Sequence, residues 1–204
     1  MLKAFGPFSV VFDPIGSNRT PYLSLLRLHR PGILDIVRII RDTASKPDST
    51  TNAVTMLRAA NWRPHLVGAI ATYYCTAGAA VTQMWAALDA GSWVAPQLAG
   101  VLSLCDPNFV INAAQRLHSG CPLSGDPEYS IGSPIERHSA QGPAGSHHRS
   151  SKSASSLLEL LPEDRAAEFS SNDHLQSLIA DDNDGSGKIA TSWLARLLKL
   201  DAQL

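Results

Sequence analysis

Strong charge of either sign is missing from this sequence. Its 17 Lys and Arg offset 18 Asp and Glu, for a net charge of −1. That balance offers no long-range attraction to nucleic acid or to an anionic membrane surface, so nucleic acid is not an expected partner. Cysteine is scarce too: Cys75, Cys105 and Cys121 form no Cys-x-x-Cys pair. This excludes a disulfide framework and leaves Cys75 and Cys105, each in an apolar run, as small buried hydrophobes. The first residues, MLKAFGPFSVVFDPIG, hold one lysine and an apolar run broken by Gly6, Pro7 and Asp13. A secretory signal reads differently, and the expected compartment is the cytoplasm.

Local catalytic signatures are absent as well. The chain has no G-x-S-x-G, no H-E-x-x-H and no glycine-rich dinucleotide turn. The GSGK run at 185–188 invites a phosphate-loop reading, which needs glycine five residues before Gly187 and Ser or Thr after Lys188. Asp182 and Ile189 stand there. His29, His65 and His118 lie in or near predicted helices without a Ser or Cys partner motif. No catalytic residue is assigned from sequence, and an enzyme whose site is assembled from distant residues stays open.

Charge is thinnest between Leu66 and Leu88, where 23 residues carry none. That length could cross a bilayer. Thr72, Tyr73, Tyr74, Thr76, Thr82 and Gln83 interrupt it, with Gly68 and Gly78, so it reads as helix buried on most sides in a core. No membrane partner is expected.

What is present is a repeated unit. Pro31, Pro64 and Pro96 lie 33 and 32 residues apart. After Pro31 come Ile33, Ile36, Val37 and Ile40; after Pro64, Leu66, Ala69, Ile70 and Tyr73; after Pro96, Leu98, Val101, Leu102 and Cys105. Each set runs i, i+3, i+4, i+7, which places four apolar side chains on one helix face. Proline loses nothing in a first helical turn, whose N–H groups have no intrahelical acceptor, so it marks the start. Asn61 and Ser92 stand upstream as N-caps. Further helices are predicted from Thr20-Pro21, from about Thr51, over AAVTQMWAALDAG ending at Gly91, and from Asp106-Pro107.

Helix pairs at a period of about 30 residues suggest a stacked array, each pair burying its apolar face against the next. The pattern over residues 20–118 resembles HEAT-like repeats, in which a Trp and an Arg near the start of the second helix are common, as in NWRPHLVGAIATYY. An irregular helical bundle with coincidental spacing is the rival. Either way the fold class is all-α. The resemblance implies a partner-binding surface, with Trp62, Trp85 and Trp93 as its anchors or, alternatively, as core.

Residues 119–150 are rich in Pro, Gly and Ser and read as a flexible linker or long loop between a 1–118 helical domain and a 151–204 helical segment. Within the latter, DNDGSGKIATSW at 182–193 resembles an EF-hand loop. The resemblance implies calcium held by Asp182, Asp184 and Ser186, by the Lys188 carbonyl and through water near Ala190. Gly187 falls where that loop turns sharply. Trp193 replaces the bidentate Glu of the twelfth position, which removes two oxygens and one charge.

The leading functional expectation is a protein-interaction module: an adaptor, scaffold or immunity-type protein using a helical surface to bind another protein. A calcium-responsive protein is the alternative, and an enzyme the second.

Overall fold

The computed structural model describes residues 2–13, 21–75, 77–120 and 143–204, with the side chains of 2–4 and 143–148 left aside. All regular structure among them is helical, as the sequence predicts. A 3₁₀ segment, Leu2–Val11, leads into α1 (Tyr22–Leu25), α2 (Ile33–Ala44), α3 (Ser49–Leu57), α4 (Trp62–Cys75), α5 (Gly78–Asp89), α6 (Ala95–Cys105) and α7 (Phe109–His118). Then come α8 (Pro143–Glu159), α9 (Glu163–Ala167), α10 (Asp173–Ala180) and α11 (Ser186–Asp201).

The three helices that follow the prolines lie side by side: α2 packs on α4, and α4 on α6. The helices between them, α3 and α5, pack on each other and on their partners α4 and α6, forming a second row. The predicted apolar positions face inward. Ile33, Val37 and Ile40 are buried on α2, and Leu66, Ala69 and Ile70 on α4, with Leu98, Val101 and Leu102 on α6. Burial goes further than one face on the middle helices. Every residue of Pro64–Thr72 and of Ala95–Leu102 is buried, because each helix has neighbours on several sides. This is why charge is absent there. No helix among the described residues is long and apolar enough to cross a membrane.

One helix end and one helix start differ from expectation. The helix predicted from Pro21 stops after Leu25, because Leu28 adopts φ 50 and turns its side chain into the core. Thr20, its predicted cap, lies outside the described residues. Of the expected linker, 121–142 also lies outside them, while 143–150 belongs to α8, with Pro143 at its first position.

The C-terminal helices share one core with the preceding ones. Helices α8 and α11 pack on each other and both cover α6. Trp193 is 2% exposed and its Nε1–H donates to the Leu25 carbonyl at 2.8 Å. The Tyr73 hydroxyl donates to Asp201 at 2.8 Å. Close contact between α8 and α11 depends on small residues. A Cβ added to Gly187 would meet the Glu159 Cβ and the Ser155 carbonyl, each at 2.9 Å. Gly187 is therefore a packing glycine inside α11, and the sharp turn that the EF-hand resemblance implies for it falls at Gly185, which is left-handed with φ +65.

Candidate binding cleft at Trp62 and Trp93

Three pieces of chain converge beside the start of α4: the 59–61 turn that precedes it, the 90–94 turn between α5 and α6, and residues 149–152 of α8. They enclose a cleft of about 550 Å³ lined by Trp62, His65, Ser92, Trp93, Arg149 and Lys152 among others. The lining includes no acidic side chain among the described residues.

Aromatic rings form one wall. Trp62 and Trp93 meet at 4.9 Å between centroids with planes tilted by 44°, and Tyr22 meets the Trp62 ring edge-on at 6.2 Å. Trp93 is 55% exposed, an unusual position for a large aromatic side chain. Cations cover both rings. The Arg63 guanidinium lies 5.0 Å from the Trp62 centroid and its Nε–H donates to the Tyr22 hydroxyl at 2.9 Å. The Lys152 ammonium lies 5.4 Å from the Trp93 centroid. Lys152 is nearly buried and ion-paired with Asp184 at 2.6 Å. Burying an ammonium is costly without a counter-charge, and the Asp184 carboxylate supplies one, holding the cation in place at the cleft.

The floor is a histidine and a serine. His65 Nδ1 is 2.8 Å from Ser92 Oγ, and His65 Nε2 is 2.7 Å from the Ala59 carbonyl. A carbonyl only accepts, so the network assigns the ring proton to Nε2 and makes Nδ1 the acceptor of the Ser92 hydroxyl. Burial pushes the His65 pKa below its ordinary value, against a smaller upward pull from the Ala59 hydrogen bond. The imidazole is therefore neutral at pH 7. Of the two expected caps, Asn61 acts as one, its side chain accepting from the Arg63 amide at 3.1 Å. Ser92 does not: α6 begins at Ala95 after Val94, without a side-chain cap, and Ser92 Oγ accepts from the Val94 amide at 3.4 Å within the preceding turn.

Of the other predicted anchors, Trp85 lies in the core. Its Nε1–H donates to Asp106 at 2.7 Å, and its ring stacks on Phe109 with Arg116 on it at 4.1 Å. His29 is exposed, and His118 packs on Phe169 at 4.7 Å. Neither joins His65.

The residues read as calcium ligands are close in sequence but otherwise engaged. The Asp182 carboxylate accepts from the Ser186 amide at 2.7 Å and from its hydroxyl at 2.9 Å. Asp184 pairs with Lys152. Helix α11 begins at Ser186, so the Lys188 carbonyl and Ala190, where a water ligand is expected, lie in its first turns. For the Lys188 carbonyl to meet an ion beside Asp182 that helix start would have to unwind, and Asp184 is engaged with Lys152.

No family model matches the chain, and comparison with curated proteins and with solved structures finds no match.

Proposed function

We propose that this protein is an interaction module that captures a segment of another protein in the Trp62–Trp93 cleft, and that the segment carries an acidic side chain beside an apolar one. The observation that carries this reading is the pairing of an exposed tryptophan wall with cations and no acid in the lining. Exposed Trp with flanking Arg is the composition that dominates binding energy at protein interfaces. The ammonium of Lys152 has three donors, and Asp184 leaves some for a ligand carboxylate. The ligand's apolar side chain has the exposed part of the Trp93 indole to cover. The neutral overall charge leaves selectivity to this local arrangement.

Calorimetric titration tests it, using an acetylated and amidated peptide of alternating Leu and Glu, and the same peptide with Gln for Glu. The expected result is binding of the Glu peptide and at least about tenfold weaker binding of the Gln peptide. Trp93→Ala should weaken the Glu peptide by about 2 kcal/mol. Equal affinities for the two peptides, or indifference to Trp93→Ala, would refute the reading.

A further inference from the structure

We propose that Ser92 and His65 form a nucleophile and base pair that accepts an acyl group from a carboxylic ester bound in the cleft. The observation behind it is independent of the aromatic and cationic wall, and the proposal does not need a protein partner.

A serine hydroxyl is a poor nucleophile until a neighbouring base takes its proton. Ser92 Oγ lies 2.8 Å from His65 Nδ1. The tautomer is the required one, because the Ala59 carbonyl at 2.7 Å holds the ring proton on Nε2 and leaves the Nδ1 lone pair facing the hydroxyl. The ring cannot rotate away without losing both bonds, and it is buried. Both residues line the cleft of about 550 Å³. Gly91, at φ +72, makes the tight turn just ahead of Ser92.

The chemistry balances without an added reagent. Ser92 Oγ attacks the ester carbonyl carbon as its proton passes to His65 Nδ1. Collapse of the tetrahedral adduct breaks the bond to the alcohol oxygen, which leaves with the proton from Nδ1. The product is an acyl ester on Ser92 and a neutral imidazole. Water then repeats the sequence, with His65 taking its proton, and releases a carboxylic acid and free Ser92. The indole rings of Trp62 and Trp93 offer the surface for an apolar acyl chain, and Arg149 and Lys152 line the same cleft.

One feature sets the expected speed. The third partner here is a carbonyl, where the hydrolases with a Ser-His-Asp triad place a carboxylate that stabilises the imidazolium. Both acylation and deacylation should be slow, so the acylated protein itself is the quantity to read. A pair that only braces the 90–94 turn would have the same hydrogen bonds and an unreactive hydroxyl.

The full chain is incubated with p-nitrophenyl butyrate, and separately with a fluorophosphonate, and intact mass is followed before peptide mapping. The expected result is one adduct per chain, on Ser92, forming at least about tenfold faster than on any other serine. His65→Asn should abolish it while helical circular dichroism persists, Ser92→Ala should abolish it as well, and Ser92→Cys should again carry an adduct at that position. No adduct, or adducts scattered over other side chains at comparable rates, overturns the proposal. Should His65→Asn unfold, the position and rate of the adduct on the unaltered chain decide alone.

Discussion

The indole N–H of Trp193 donates to the backbone carbonyl of Leu25 at 2.8 Å, joining positions 168 residues apart. The Trp193 ring lies against α6 near Gly100, so one side chain ties the last helix to α6 and to the last residue of α1. Removing it leaves a large void and an unpaired carbonyl. Trp193→Ala should cost roughly 3–5 kcal/mol. Urea denaturation checks this, and the 1–118 fragment, which lacks the cover over α6, should melt well below the full chain.

Gly187 supports the same contact from the other side. Its replacement by Ala puts a methyl 2.9 Å from the Ser155 carbonyl, a backbone atom that cannot swing away. Ala is the better helix former, and at an open site the substitution would stabilise by up to about 1 kcal/mol. Here it should destabilise by about 1–3 kcal/mol, through overpacking. A thermal melt of Gly187→Ala reads the sign directly.

The neutral state of His65 gives stability a pH dependence with a definite sign. Burial lowers its folded pKa below the unfolded value near 6.5, so between the two the unfolded chain binds the extra proton. Stability is fully present above the unfolded value and is lost as pH falls from about 6.5 toward the folded pKa. Denaturation midpoints measured from pH 8 to pH 5 should be flat at first and then decline. His65→Gln should start lower and decline less.

How much of this was legible beforehand follows from what each feature depends on. The helices after Pro31, Pro64 and Pro96 could be read because a 3.6-residue period and a proline start are local. Ile70 and Leu98 are buried as their spacing predicts. The stop after Leu25 could not, because the left-handed Leu28 is held by the core it enters, and nothing in YLSLLRLHR states that. The His65–Ser92 pair was hidden differently. Each was visible alone, His65 just after Pro64 and Ser92 as a cap ahead of Pro96. Their meeting depends on α4 and α6 lying side by side, so the 27-residue separation, close to the repeat period, was the only sequence signal. Lys152 gave none: its partner Asp184 is on another helix's approach and its ring neighbour Trp93 on a third segment.

Calcium provides a separate test of the loop from 182 to 193. Binding at Asp182, Asp184 and Ser186 should be weak, about 10⁻⁴ to 10⁻³ M, without a bidentate twelfth ligand. It should also be accompanied by loss of helix at the start of α11 and release of Lys152 from Asp184. Calorimetry beside circular dichroism checks both. Trp193→Glu, which would restore the ligand in an open loop, should instead unfold the C-terminal helices, since that position is core.

The central claim, that the Trp62–Trp93 cleft is the binding site, is tested most directly through the indole N–H resonances of the four tryptophans. Two of those N–H groups are locked in the core, Trp85 on Asp106 and Trp193 on the Leu25 carbonyl, and the other two belong to the cleft rings. Titrating nitrogen-labelled protein with the Leu-Glu peptide should move the Trp62 and Trp93 signals and leave Trp85 and Trp193 in place. Four unmoved signals, or the same shifts with a Leu-Lys peptide, would contradict it.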